Sequence, residues 1–330
     1  VQAEEFMLVR DLVRTFATRF RVESADPDPS HRAAAQKALG ELGLAELRGS
    51  TPPDATVQEC ALLAEEHGSR PLTTSLLGTV LLAPELLRLI GDQMSPDQVS
   101  PEAGPSQTIA LAADLRFPGP AGTDLVAWDC EGADRALHVA PDGTVTSLAL
   151  GPAVPSADLL RGIRSVPPDS PAVTLGRLDA DRLMHWQAYA LTLLSSELVG
   201  AARSFVGQSV DYARERRQYG RAIGSFQAVQ HLLADATVLV EACTSATRYA
   251  AWCLDHEPPA QALTAARVAK AEVNASALDA VSIGMQVFGG IAQTWEHVAH
   301  LYLRRILLGS TTLATTADLL TTLAEPEPVR

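Results

Sequence analysis

RERRQYGRAIGSFQAVQHLLAD, residues 214–235, gathers Arg214, Arg216, Arg217 and Arg221 into a few positions of a chain whose formal net charge is −13. The run breaks at Gly220 and Gly224 and continues as an apolar-periodic segment, so it marks a junction between two helices. Such a cluster has two readings. Arginine and glutamate at a helix end complement the helix dipole and bridge each other on a solvated surface. Alternatively, guanidinium forks receive phosphate, with the planar rings of Tyr219 and Phe226 suited to a flat ligand. A second stretch bears on the choice. IGMQVFGGIAQTWE, residues 283–296, puts Gly289 and Gly290 at a helix end directly after Gln286 and Val287. Paired glycines either stop a helix or let a backbone approach a ligand closely.

Outward from these stretches the chain reads as three regions, giving a mainly α protein with a small β domain. Residues 1–104 are helical: Leu8, Val9, Leu12, Val13 and Phe16 share one face, and Thr56 and Glu59 have capping-box spacing. Gly68 is expected as a left-handed helix stop, and Ser95-Pro96 as the opening of another short helix. Residues 105–178 change texture. TIALAA, DLVAW, ALHVA, TVTSLAL and AVTLG alternate with Pro/Gly clusters such as the turn at Pro141–Gly143, which predicts a thin sheet leaning on helical neighbours. Residues 179–330 return to helix, expected over 183–214, 225–253, 259–288 and 295–322.

Composition bounds the function classes. With 47% hydrophobic and 20% charged residues in 330, the chain can bury a large core. Its acidic balance argues against nucleic-acid binding, which needs a basic face. Cys60, Cys130, Cys243 and Cys253 have neither metal-ligand nor disulfide spacing, which fits a reducing compartment. The opening VQAEEFMLVRDLVRTF is acidic and amphipathic, unlike a signal peptide. The apolar window Leu72–Gly91 holds Pro84, Glu85 and Arg88, as a core helix pair does and a membrane span does not. A cytoplasmic location without membrane contact is the expectation.

In this order and spacing, YARERRQYGRAIGSFQAVQHLLAD followed by QVFGGIAQTWE and LYLRR resembles the C-terminal helical domain of acyl-CoA dehydrogenases. LGELGLAELRG and ECALLAEEHGSRPL are similar to the opening helices of the same family. The resemblance implies an N-terminal helical domain, a middle β-sheet that is reduced here, and a C-terminal four-helix bundle, binding FAD and dehydrogenating acyl-CoA thioesters. Carried over residue by residue, it places Arg216 at the FAD pyrophosphate with Gln218 and Tyr219 beside it. Phe226 and Gln227 line the same cofactor, and Gln286, Val287, Gly289 and Gly290 meet its adenosine side. In this family these groups reach the flavin of a neighbouring subunit.

The same carry-over finds no catalytic base. Such enzymes need a carboxylate to remove the α-proton. The two family positions fall on Ala190, with Leu191 after it, and on Leu313. Glu197, two turns beyond Ala190 on nearly the same helix face, is the weak candidate for a displaced base. Glu296, His297 and His300 lack a visible third ligand at catalytic-zinc spacing, so a surface role is expected and no metal. Of the family's flavin-facing loop only AGTD, at Ala121–Asp124, remains.

The chain therefore resembles the shortened subunit of the α2β2 acyl-CoA dehydrogenases of actinobacterial steroid side-chain breakdown. The resemblance implies a longer partner subunit, an acyl-CoA substrate and an electron-transfer flavoprotein as acceptor. Two alternatives stay open: a self-sufficient homo-oligomeric flavoenzyme with Glu197 as base, and a non-catalytic scaffold without flavin.

Overall fold

The computed structural model describes residues 3–91, 106–117 and 124–325. Ser95-Pro96 and most of the AGTD stretch lie outside the described residues. The N-terminal region holds α1 (Ala3–Phe20), α2 (Pro29–Gly40), α3 (Val57–Gly68) and α4 (Ala83–Ile90), the last preceded by a π-helical turn over Leu76–Leu82. Thr56 and Glu59 form the expected capping box at the start of α3. Arg48 crosses to Glu85 through a bidentate pair at 2.9 Å, and Arg88 and His185 hold the same carboxylate, so its burial is compensated from three sides.

Gly68 corrects one expectation. Ser69, the residue closing α3, has right-handed backbone angles, and Gly68 has no positive φ. A Cβ at Gly68 would run into the Glu197 carbonyl oxygen, and one at Gly200 into that of Glu65. The two glycines let α3 and the long helix α5 (Ala180–Glu215) touch backbone to backbone.

The middle region is a six-stranded sheet of β1 (Gln107–Ala112), β2 (Leu125–Trp128), β3 (Arg135–Val139), β4 (Thr144–Ala149), β5 (Ile163–Val166) and β6 (Ala172–Arg177). Its order is β5-β2-β1-β3-β4-β6, with β1 and β3 parallel and the other neighbours antiparallel. Period-2 alternation sends Ile109, Leu111, Trp128 and Leu137 into the main core. The opposite face closes over small residues, Ala110, Ala127, Ala133 and Ala136. Five strands match the expected stretches. The missed one, β5, is an edge strand of four residues with Arg164 and Ser165 between its two apolar ends.

The C-terminal region packs α5 with α6 (Gln227–His256), α7 (Pro259–Phe288) and α8 (Ala299–Gly309), and α9 (Thr316–Ala324) lies against α7. By length and composition, residues 259–293 are apolar enough to cross a membrane. Here α7 lies between α5 and α6 and buries Lys270 and Asn274. The single final helix expected over 295–322 is two helices. Thr315 and Asp318 form a capping box that starts α9 afresh, and Leu313, at φ +69°, turns the chain between them. All four cysteines are free and buried.

Candidate functional site

At the end of α5 the chain leaves the helix at Arg216 and forms a tight hairpin, β7 (Arg217–Gln218) paired with β8 (Arg221–Ala222). Its two central residues, Tyr219 at φ +51° and Gly220 at φ +75°, have the positive angles that a type I′ turn requires. The turn projects Tyr219 outward, 90% exposed. Phe226, at the entry to α6, meets Tyr219 edge to face at 6.2 Å and lies under the Arg221 guanidinium at 4.1 Å. Arg214 pairs with Asp211 at 3.2 Å. Arg216 and Arg217 are exposed and make no ion pair among the described residues. The N-terminus of α6, which carries exposed Gln227, adds the positive end of its dipole to the same place.

The second stretch comes to this end of the bundle. Val287 is buried with Ala213 and Ile223, and Tyr212, Phe226, Val229 and Leu233 close the cluster, so the last turn of α7 is fastened beneath the hairpin. Gln286 is exposed beside it. Gly289 has φ +68° and ends α7 in a conformation that favours glycine. Gly290 differs: it has no positive φ, and among the described residues a Cβ there would meet no atom within 4 Å beyond its own chain neighbours. Packing within this chain does not call for a glycine at 290, and its bare backbone leaves room for another molecule to come close. The fold thus assembles Arg216, Gln218, Tyr219, Phe226, Gln227, Gln286, Gly289 and Gly290 around one end, with the Val287 side chain beneath them as packing.

The two family positions for a base are closed. Ala190 is fully buried within α5. Leu313 is buried too, and its backbone pairs directly with the chain after β1: Leu313 N–H donates to Leu115 O at 2.8 Å and Phe117 N–H donates to Leu313 O at 3.1 Å. A cleft of about 250 Å³ opens among α1, α3, α5 and α6, but neither Ala190 nor Leu313 lines it.

Glu197 is not placed as a base would be. It lies fully buried where all three regions meet, its Oε2 bonded to Arg161, with Arg305 at 3.5 Å and His67 at 3.6 Å. Arg161 also holds Asp129 at 2.8 Å, and Arg305 holds Asp158 at 2.6 Å. Burial alone would raise the Glu197 carboxyl, but the two guanidiniums and the His67 contact hold it well below the usual carboxylate range. A carboxylate so stabilised is a poor proton acceptor at neutral pH. Burial and the neighbouring Glu197 push Asp129 upward, as expected where three carboxylates share two arginines. These partners lie far apart in sequence, so spacing alone gave no sign of the cluster.

His297 and His300 have structural partners: the His297 ring lies 4.9 Å from Phe288, and His300 stacks on Trp295 at 5.1 Å. Among the described residues no group of three His, Cys, Asp or Glu side chains could hold a metal.

Helical bundle, intervening sheet, hairpin and glycine end together give an acyl-CoA dehydrogenase type of fold, and the chain belongs to the acyl-CoA dehydrogenase family. Residues 175–319 match the family described as acyl-CoA dehydrogenase, C-terminal domain. Acyl-CoA dehydrogenase IpdE2 of Mycolicibacterium smegmatis is 30% identical over 250 residues, covering 75% of this chain and 71% of that protein. IpdE2 of Mycobacterium tuberculosis is 40% identical over 116 residues, which span 35% of this chain and only 34% of that relative. The fold is similar to the Tcur3481-Tcur3483 steroid ACAD G363A variant, with TM-score 0.81 and 23% identity over 98% of this chain and 97% of that one. It is also similar to the ChsE4-ChsE5 complex of Mycobacterium tuberculosis, with TM-score 0.76 and 19% identity over 99% of each chain.

Proposed function

We propose that this chain is a subunit of an FAD-dependent acyl-CoA dehydrogenase and completes the cofactor site of a longer, catalytic partner in an α2β2 assembly. The observation that carries this reading is a contrast within one molecule. Arg216 stands exposed with no ion pair among the described residues, with exposed Gln218 and Tyr219 beside it, while Ala190 and Leu313 leave the base positions empty and closed. Arg216 would meet the FAD pyrophosphate with a guanidinium fork. Tyr219 and Phe226 would flank the cofactor, and Gln286 with the bare backbone at Gly289-Gly290 would meet its adenosine side. FAD, when bound, supplies the hydride acceptor for α,β-dehydrogenation of an acyl-CoA thioester. The partner supplies the glutamate that takes the α-proton. The two similar solved structures, one a steroid ACAD and the other a two-protein complex, support a steroid CoA ester as substrate and a second subunit. An electron-transfer flavoprotein is the proposed electron acceptor.

The rival with Glu197 as base loses its ground because that carboxylate is engaged by Arg161 and Arg305. The test is FAD affinity of the assembled complex. Arg216→Ala is expected to cost about 2–4 kcal/mol of binding, and Arg216→Lys to recover only part, since an ammonium lacks the fork. Unchanged affinity in both variants would reduce the cluster to ordinary surface charge.

A further inference from the structure

The cleft among α1, α3, α5 and α6 is separate from the hairpin end and from both base positions: no residue of the hairpin lines it, and neither does Ala190 or Leu313. Its volume of about 250 Å³ is the share of about eight water-sized groups, which is room for a small organic molecule. Ala61 and Leu62 of α3, Val199 of α5 and Ala251 of α6 give it apolar walls, and Arg10 and Arg248 bring positive charge to it. Apolar walls with a few convergent polar groups are the usual make-up of a small-molecule site.

The charge around the cleft is short of acceptors. Arg10, Arg14, Arg203 and Arg248 gather about two part-buried carboxylates, Glu65 and Glu66. Glu66 is taken by Arg10 and Arg14, each at 2.7 Å. Glu65, which also lines the cleft, is engaged by Arg203, and Arg248 reaches it only at 3.8 Å. Two further carboxylates are exposed: Asp11 lies 3.3 Å from Arg14, and Glu241 lies 3.9 Å from Arg203. Burial lowers the Arg203 guanidinium, and the nearby charges of Arg248 and Arg10 lower it further against the opposing pull of Glu241. A hydroxyl in the wall is idle as well. Ser196 and Thr244 donate to carbonyls of their own helices, Thr192 O at 2.9 Å and Val240 O at 2.7 Å. Thr247, only 4% exposed, has no hydrogen-bond partner for its buried Oγ1 among the described residues.

We propose that this cleft binds a short aliphatic carboxylate, about the size of hexanoate. Its carboxylate lies between the Arg248 guanidinium and the Thr247 hydroxyl, neighbours on α6, and its hydrocarbon chain covers Ala61, Leu62, Val199 and Ala251. A guanidinium accepts a carboxylate or a phosphate alike. The apolar walls favour an anionic head that carries a hydrocarbon body, which inorganic phosphate lacks. Glu65 in the same lining repels a second negative charge, so a monocarboxylate fits better than a dicarboxylate. The occupant touches helices of both the N-terminal region and the bundle, so its binding stabilises the folded chain. None of this rests on the proposed flavin reading, because the hairpin end takes no part in it.

The experiment is isothermal titration calorimetry of sodium hexanoate into the full chain, with thermal melts alongside. One hexanoate per chain is expected, with a melting temperature that rises with ligand concentration. Hexanol, without the charge, and inorganic phosphate, without the chain, should each bind at least about tenfold more weakly. Arg248→Met alters an exposed side chain and should weaken hexanoate at least about tenfold while leaving hexanol unchanged. Thr247→Val keeps the shape and should weaken hexanoate about three- to tenfold. No saturable hexanoate binding, hexanol as tight as hexanoate, or an affinity indifferent to Arg248→Met overturns the inference. So does loss of binding in Arg216→Ala, which would move the anion to the hairpin end. In the complex with the partner, Arg248→Met should leave FAD content per heterodimer unchanged, and a drop would overturn the separation of the cleft from the flavin site.

Discussion

Glu197 and Lys270 are both fully buried ionisable groups, and their surroundings treat them in opposite ways. Glu197 is matched by guanidiniums. Glu197→Gln should therefore cost about 3–5 kcal/mol of stability in urea titration, because it leaves Arg161 and Arg305 short of a counter-charge. Turnover of the assembled complex should persist. Its carboxyl is depressed in the folded state, so its stabilisation is full above the unfolded carboxylate range and lost as pH falls through the folded value. Asp129→Asn should cost less. Asp129 is the carboxylate pushed upward, and its φ of +51° suits asparagine nearly as well. Among the described residues Lys270 donates to neutral acceptors, Asn274 Oδ1 and Gly309 O, the latter at 2.7 Å, and burial lowers it to about 7. The unfolded lysine keeps its proton to about 10, so the folded chain binds fewer protons between those values and stability rises with pH across that window. Below about 7 the full penalty of burying the charge applies. Lys270→Met should flatten that rise and raise stability most at neutral and lower pH, read as melting temperature against pH.

At the level of elements, the α3–α5 crossing depends on Gly68 and Gly200. Gly200→Ala puts a methyl against the Glu65 carbonyl and should cost about 1–3 kcal/mol, checked by chemical denaturation. The sequence showed these glycines but not their purpose, because close approach is a property of two helices and neither reveals the other. The break at Gly220 and the helix end at Gly289 were legible from their glycines, but that the break is a two-residue hairpin turning through Tyr219 was not. That they stand at one end was not readable from spacing. It follows from Val287 packing on Ile223, and the family resemblance anticipated it. Where local signals were weak or divided the reading slipped. β5 carries too short an alternation, and the single last helix overlooked Thr315 and Asp318, which cap a new one.

On the scale of the whole molecule, three regions are locked together by one buried ion-pair cluster, and one end remains open. At the hairpin end Arg216 and Arg217, without an ion pair among the described residues, stand exposed beside the bare backbone of Gly290. In the proposed assembly the partner's pocket would read the acyl group, which is why so little of it was legible from this chain. The decisive measurement is flavin content by absorbance, with mass, for the full chain alone and with a longer acyl-CoA dehydrogenase subunit carrying the flavin loop and the glutamate. The expected result is a flavin-poor chain alone and about one FAD per heterodimer in the complex, each site needing both halves. A yellow homo-oligomer with stoichiometric FAD would contradict it.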